Sequence, residues 1–274
     1  MRRLINTRPT RIGQYALGLL PFIILLVIYI LASDARLEIN PNDKLMPSFT
    51  SFAEAIERMA FEPSKRSGDY LFWTDTGASL QRLFIGVSLS AFIGLVFGIL
   101  NGSLPLARAK LSPITTVISL IPPMAILPIL FIIFGLGEVS KVMLIVIGIT
   151  PFLIRDLQSR VLELPGEQFI KAQTLGANSW QVIVRVVLPQ VMPRLLEAVR
   201  LSLGAAWLFL IAAEAIAAQE GLGYRIFLVR RYLSMDIILP YVAWIALLAF
   251  VTDWLLRRTS MFLYPWYQKN ERAG

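Results

Sequence analysis

The 274-residue chain contains neither cysteine nor histidine. Without cysteine there is no disulfide framework and no thiolate metal site. Without histidine the commonest general base and the commonest transition-metal ligand are missing, and a Ser-His-Asp triad cannot form. No catalytic residues and no metal site are therefore expected. Charge is scarce too, at 16% of residues. What the chain has in quantity is apolar: 56% of residues are hydrophobic, mean hydropathy is positive, and the apolar residues fall in long runs. A bilayer core of about 30 Å takes roughly 20 apolar helical residues, so the runs read as membrane spans. The net charge of +8 then matters by position, because Lys and Arg in short loops mark the cytoplasmic side.

Residues 1–14 carry Arg2, Arg3, Arg8 and Arg11 and no acid. Residues 15–32 are apolar and uncharged. A secretory signal also starts basic and turns apolar, but this run is long for one, and the polar LASDARLEIN that follows offers no small-x-small site. An uncleaved first span is expected. Residues 33–81 hold eight acids against five bases, which places this long loop outside. Within it FTSFAEAIERMAF has Phe49, Phe52, Ile56 and Met59 at helical spacing, a short surface helix. Residues 83–100 are the second span. Gly94, Gly98 and Gly102 recur every four residues there, a small-residue face for a close helix neighbour, either within the chain or at a dimer seam. Arg108 and Lys110 put residues 101–113 inside.

The third span, residues 114–135, contains Pro122, Pro123 and Pro128. Each removes a backbone donor, and freed carbonyls at membrane depth need neighbours or a wet cavity. The pattern suggests a broken helix lining a path, with a kinked packing helix as the rival. After a short external turn, residues 142–154 form a fourth span that carries Pro151 and runs into Arg155 and Asp156. That pair reads as self-neutralising, as part of an inner gate, or as interfacial snorkelling. Residues 158–194 are more basic than acidic and lie inside. Residues 195–218 are the fifth span, with Glu214 deep within it. Residues 219–236 are outside, although Arg225, Arg230 and Arg231 run against the charge rule. Residues 237–256 are the sixth span, and the tail from 259 to 274 is basic. The expectation is an all-α membrane protein of six helices with both termini cytoplasmic, residues 82–258 forming its core. No G-x-x-x-x-G-K-[ST] occurs, so no nucleotide site is expected on this chain.

The inner loop contains IKAQTLGANSWQVIVRVVLP, residues 170–189. Pro165 and Glu167 suit the start of a helix. Gly176 suits a left-handed cap, Asn178 or Ser179 can cap a second helix, and Pro189 is expected to stop that helix before the membrane. Such a hairpin can serve as a knob for another protein's cleft, with Ala172, Leu175 and Gly176 at its tip, or it can lie on the bilayer with Lys171 and Arg185 at the interface. Nucleic acid is excluded, because short tethers to two spans keep the hairpin from reaching a groove.

The same stretch resembles the EAA loop of binding-protein-dependent ABC importer permeases: Glu-Ala-Ala, three residues, Gly, nine residues, then Ile-x-Leu-Pro. Ala172 stands at the last alanine, Gly176 at the glycine, and Val186, Leu188 and Pro189 at the end. Ile170 replaces the glutamate and Lys171 the first alanine. ASLQRLFIGVSLSAFIGLVFGILNG, SLIPPMAILPILFIIFGLGEVSKVMLI and LIAAEAIAAQEGLGYRI are similar to permeases of the nitrate, taurine, alkanesulfonate and bicarbonate branch. The resemblance covers roughly residues 79–258. It implies an inner-membrane homodimer, surrounded by lipid, with one pore. A periplasmic or lipid-anchored solute-binding protein would dock outside. An ABC ATPase, which carries ATP and Mg, would take the hairpin through Lys171, Ala172, Leu175, Gly176, Ala177, Val186, Leu188 and Pro189. This chain itself would bind no cofactor.

For the translocation path the candidates are Pro122, Pro123, Pro128, Arg155, Asp156 and Glu214. Glu214 has a structural hydrogen bond as its other reading, to Tyr224 or to a partner helix. The branch points to small polar anions. No Lys or Arg stands well inside a span, however, and the deep charge is acidic, which leaves room for a urea- or guanidine-like compound. An ion-coupled secondary transporter is the alternative function; it would need Glu214 as its coupling site.

Overall fold

The computed structural model describes residues 10–40, 43–65 and 68–267. Arg2, Arg3 and Arg8, the loop residue Arg66, and the tail residues Lys269, Glu271 and Arg272 lie outside these. Among the described residues there are helices and no strands.

The first apolar run forms α1 (Arg11–Ile39), capped by Thr10, whose hydroxyl accepts from the Gly13 amide. Its apolar stretch is almost bare of protein, as suits a helix whose neighbour is lipid. In its second half Tyr29 Oη donates to Pro47 O at 2.7 Å and Ser33 Oγ to Met46 O at 2.9 Å. The Tyr29 ring meets Phe49 and Phe52 of α2 (Phe49–Ala60), the expected surface helix. In the loop between them the Leu45 amide and then Arg36 hold the Asp43 carboxyl below its ordinary value.

Helix α3 (Leu71–Ser103) begins well before the apolar run at residue 83. The end of the sequence's outer loop is therefore helical, because Asp75, Ser79 and Arg82 share one face and find buried partners there. Toward its other end the small-residue stripe continues through Gly86 and Ser90 to Gly94, Gly98 and Gly102, all buried. This face seats α6 (Glu138–Leu162). A Cβ added at Gly94, Gly98 or Gly102 would come within 2.7, 2.6 or 2.4 Å of the Cβ of Leu153, Leu157 or Val161. Only a bare backbone permits that approach, and van der Waals packing at such contacts holds helices together where lipid removes the hydrophobic drive. The stripe is thus an intramolecular seam. On its other side α6 packs on α9 (Leu188–Ala217), where Gly148 makes room for the Phe209 ring.

The third apolar run is broken. α4 (Pro105–Leu120) and α5 (Pro123–Phe134) meet at an angle of 97° across Ile121 and Pro122. Pro122 and Pro123 contribute no amide hydrogens, so the ladder cannot pass through them. Pro128 lies inside α5. The chain then passes through α6, a hairpin, α9, the short α10 (Leu222–Val229) and α11 (Met235–Leu263).

Among the described residues α1, α3, the run that ends in α9, and α11 are each long and apolar enough to cross a membrane, and the bent pair is a fifth if its two helices are taken as one span. The remaining helix of the expected six, α6, is 25 residues long and keeps Leu144, Ile145, Ile149, Leu153 and Leu157 wholly or almost wholly buried between its neighbours.

Candidate functional site

Three places hold the polar or exposed features of this chain. The first is the hairpin after α6. α7 (Gly166–Thr174) starts just after Pro165, with Glu167 in its first turn. It ends where the Ala177 amide bonds Ala172 O at 3.0 Å and the Gly176 amide bonds Gln173 O at 2.9 Å. This pairing is a Schellman cap, and it needs the φ of +84° that Gly176 supplies. Asn178 then caps α8 (Ser179–Val182). Its side chain accepts from the Gln181 amide at 2.8 Å, and Gln181 returns the bond to the Asn178 amide at 2.9 Å. Gln190 Nε2 donates to Gln168 Oε1 at 2.8 Å and ties the base of the hairpin together.

Pro189 does not stop the second helix. Residues Ile183–Val187 form a π turn in which the Leu188 amide reaches back to Ile183 O, and the helix runs unbroken from Ser179 to Ala217. The widened turn relieves the clash an inserted proline ring would make with the carbonyl four residues back. Of the coupling candidates, Lys171, Leu175, Gly176 and Pro189 are exposed, while Ala172, Ala177, Val186 and Leu188 are half-buried. The tip carries bare apolar groups: Leu175 is 87% exposed, Trp180 71% and Ile170 62%.

The second place is the elbow between α4 and α5. A cavity of about 420 Å³ opens there, lined from one side by Ile118, Ser119, Ile121 and Pro123 and from α6 by residues that include Gly148, Pro151, Arg155 and Asp156. The break thus brings Pro123, Arg155 and Asp156 together; neither Pro122 nor Pro128 lines this cavity. Arg155 and Asp156 do not neutralise each other, since successive helical residues point apart. Asp156 pairs with Arg160 at 3.8 Å, and Arg155 Nη1 donates to Ser119 Oγ at 3.0 Å.

The third place is a buried ionic network at the opposite end of the bundle, which holds Glu214. Its carboxylate accepts from Ser79 Oγ at 2.8 Å, Arg82 Nη1 at 2.7 Å and the Gly223 amide at 2.9 Å. Tyr224 is not among these donors. Arg82 also pairs with Glu138, which takes a further bond from Lys141 Nζ at 2.7 Å. Asp75 accepts from the Gly221 amide at 2.9 Å and from Arg225 Nε at 2.7 Å, with Tyr241 Oη at 3.2 Å. The amides of Gly221, Leu222 and Gly223 thus each meet a buried acceptor from α3 or α9. Gly221 has a φ of +123°, and a Cβ there would strike Glu214 and Arg82. Arg225, which breaks the charge rule in sequence, is therefore half of a structural ion pair.

Asp75 and Arg82 are absent from the sequence candidates because the first was read as a loop acid and the second stands just outside the apolar run. The signal that finds them is their spacing with Ser79, at positions i, i+4 and i+7 of one helical face.

Residues 90–260 match the family described as binding-protein-dependent transport system inner membrane component. The match begins within α3 and takes in the elbow, the hairpin and Glu214. The chain is 35% identical over 199 residues to the taurine transport system permease protein TauC of Escherichia coli (strain K12), covering 73% of this chain and 72% of that one. It is 31% identical over 194 residues to the putative aliphatic sulfonates transport permease protein SsuC of Bacillus subtilis (strain 168), 70% of each chain. It is 32% identical over 198 residues to the bicarbonate transport system permease protein CmpB of Synechococcus elongatus, 68% of this chain and 70% of that one. Among solved structures, a chain of the inward-facing MetNI methionine ABC transporter superposes with a TM-score of 0.57 at 23% identity, covering 69% of this chain and 96% of that chain. That likeness is one of fold.

Proposed function

We propose, from the premise that this chain belongs to the binding-protein-dependent transport system inner membrane components, that it imports a small oxyanion of the sulfonate or bicarbonate class. It is a multi-pass membrane permease of the ABC transporter class. In the proposed assembly two copies form one pore in a bacterial inner membrane, each with six spans and both termini inside. A solute-binding protein delivers the cargo from outside. An ABC ATPase, holding ATP and Mg, grips the hairpin through the face from Lys171 to Ala177 and the Val186–Pro189 segment. The elbow with Pro122, Pro123 and Pro128 and the cavity beside it, with Arg155 and Asp156, lie along the path.

The observation that carries this reading is the hairpin itself. Two complete caps hold it rigid, and it presents Leu175, Trp180 and Ile170 uncovered. An exposed apolar tip on a fixed scaffold is what a partner's cleft requires. The relatives' names carry the choice of cargo. An ion-coupled carrier would need Glu214 as a coupling acid, and its pairing with Arg82 speaks against that role. The cycle is then a two-state equilibrium biased from both ends, by loaded binding protein outside and by ATP inside.

The test is purification of the tagged chain from its own host in a gentle detergent, with the co-purifying proteins identified by mass. A P-loop ATPase in equal amount is the expected result. A chain that came out alone and transported in liposomes without ATP would overturn the reading.

A further inference from the structure

Arg155 differs from the ion-paired arginines of the helical body, and from Arg108, whose guanidinium is taken up by the Asn101 and Gly102 carbonyls. Arg82, Arg160, Arg194, Arg200 and Arg225 each have a carboxylate within 4 Å. Among the described residues Arg155 has none, although it stands beside Asp156, whose own charge goes to Arg160. The Arg155 side chain is exposed, so the guanidinium is open to water or to a solute. Here it lines a cavity of about 420 Å³, within the range that takes small organic molecules.

The guanidinium is also held in place. Ser119 Oγ donates its proton to Thr116 O at 2.7 Å, which leaves a lone pair that accepts from Arg155 Nη1 at 3.0 Å. One of the five guanidinium N–H groups is used in this way. The rest of the planar fork is free, and that geometry matches two oxygens of a sulfonate or carboxylate. Ile118, Ile147 and Phe152 give the same cavity apolar walls for a short alkyl portion.

We infer that Arg155 binds the oxyanion head of the solute in the cavity beside the α4–α5 elbow, and that Ser119 is the residue that positions it. The inference rests on the importer reading above and gives a named role to a residue that the sequence placed only at the end of the fourth span.

The test uses the complete transporter, with its ATPase and binding protein, in liposomes. Taurine, ethanesulfonate and bicarbonate are offered in turn to the unmodified complex, and an imported one becomes the probe. If none is imported under ATP, the cargo reading has failed before Arg155 is tested.

With a working probe, Arg155→Gln is expected to lower the uptake rate at least about tenfold, the factor that corresponds to losing one charge-assisted hydrogen bond. Arg155→Lys should restore part of it, because the charge returns without the fork. Ser119→Ala should fall between. The assembled complexes should melt at the same temperature as the parent. Wild-type uptake by Arg155→Gln would overturn the inference. So would an Arg155→Lys variant as inactive and as unstable as Arg155→Gln, which would make Arg155 structural. A defect seen in vesicles with added phosphatidylglycerol but not in phosphatidylcholine alone would assign the guanidinium to an anionic lipid headgroup and likewise overturn it.

Discussion

Glu214 is a carboxylate with no solvent exposure, and its three donors come from α3 and from the first turn of α10. Replacing it with leucine leaves Arg82 short of an anion and strands Ser79 Oγ and the Gly223 amide. Breaking a buried pair by removing one partner costs roughly 3–5 kcal/mol, so Glu214→Leu should markedly lower the melting temperature in detergent. Glu214→Gln, which still accepts hydrogen bonds, should lower it less. A Glu214→Leu protein that melts with the parent would remove the structural role. At this scale the sequence was legible where a residue's local chemistry decides its place. Gly176 and Asn178 act as caps because only a few residue types suit those positions. It was less legible where a partner far along the chain decides. The Glu214–Arg82 pair joins residues 132 positions apart, and no local pattern names the partner.

The seam between α3 and α6 shows an element deciding against side chains. A methyl group at Gly98 would sit 2.6 Å from Leu157 Cβ, whereas one at Gly77 on the same helix meets nothing within 4 Å. Gly98→Ala should therefore cost about 1–3 kcal/mol by overpacking. Gly77→Ala should be neutral or stabilise by up to about 1 kcal/mol through helix propensity. Paired melting curves check this, and equal shifts would contradict the seam. The hairpin gives the opposite case, an element whose surface matters more than its interior. Leu175→Asp changes an exposed tip with no packing role, so its effect on stability should stay within about 0.5 kcal/mol, while the ATPase no longer co-purifies and ATP-driven uptake collapses. Undiminished co-purification would count against docking at the tip. The four-residue glycine spacing and the clustered prolines made the seam and the elbow readable in the sequence. The start of α3 and the passage through Pro189 were not, because a polar helix face read as a loop and a π turn leaves no pattern in residue types.

For the whole molecule, the missing cysteines become an experimental convenience, since one introduced thiol is then the sole target for a membrane-impermeant maleimide. In intact cells Tyr232→Cys should react and Leu175→Cys should stay protected until the membrane is opened. Both reacting from one side would disprove the proposed six-span arrangement. The long apolar runs made the membrane class plain from sequence alone, because lipid demands uniform apolarity over a span. The order in which the spans pack depended on tertiary contacts. One consequence lies in the unbroken helix from Ser179 to Ala217, 39 residues and about 58 Å at 1.5 Å per residue. One end carries Trp180 and the other carries Glu214. Mechanically this is a beam with a load point at each end: a tilt of about 10° around its middle swings each tip by about 5 Å. A shove at the hairpin therefore has leverage on the Glu214 network through a single piece of backbone.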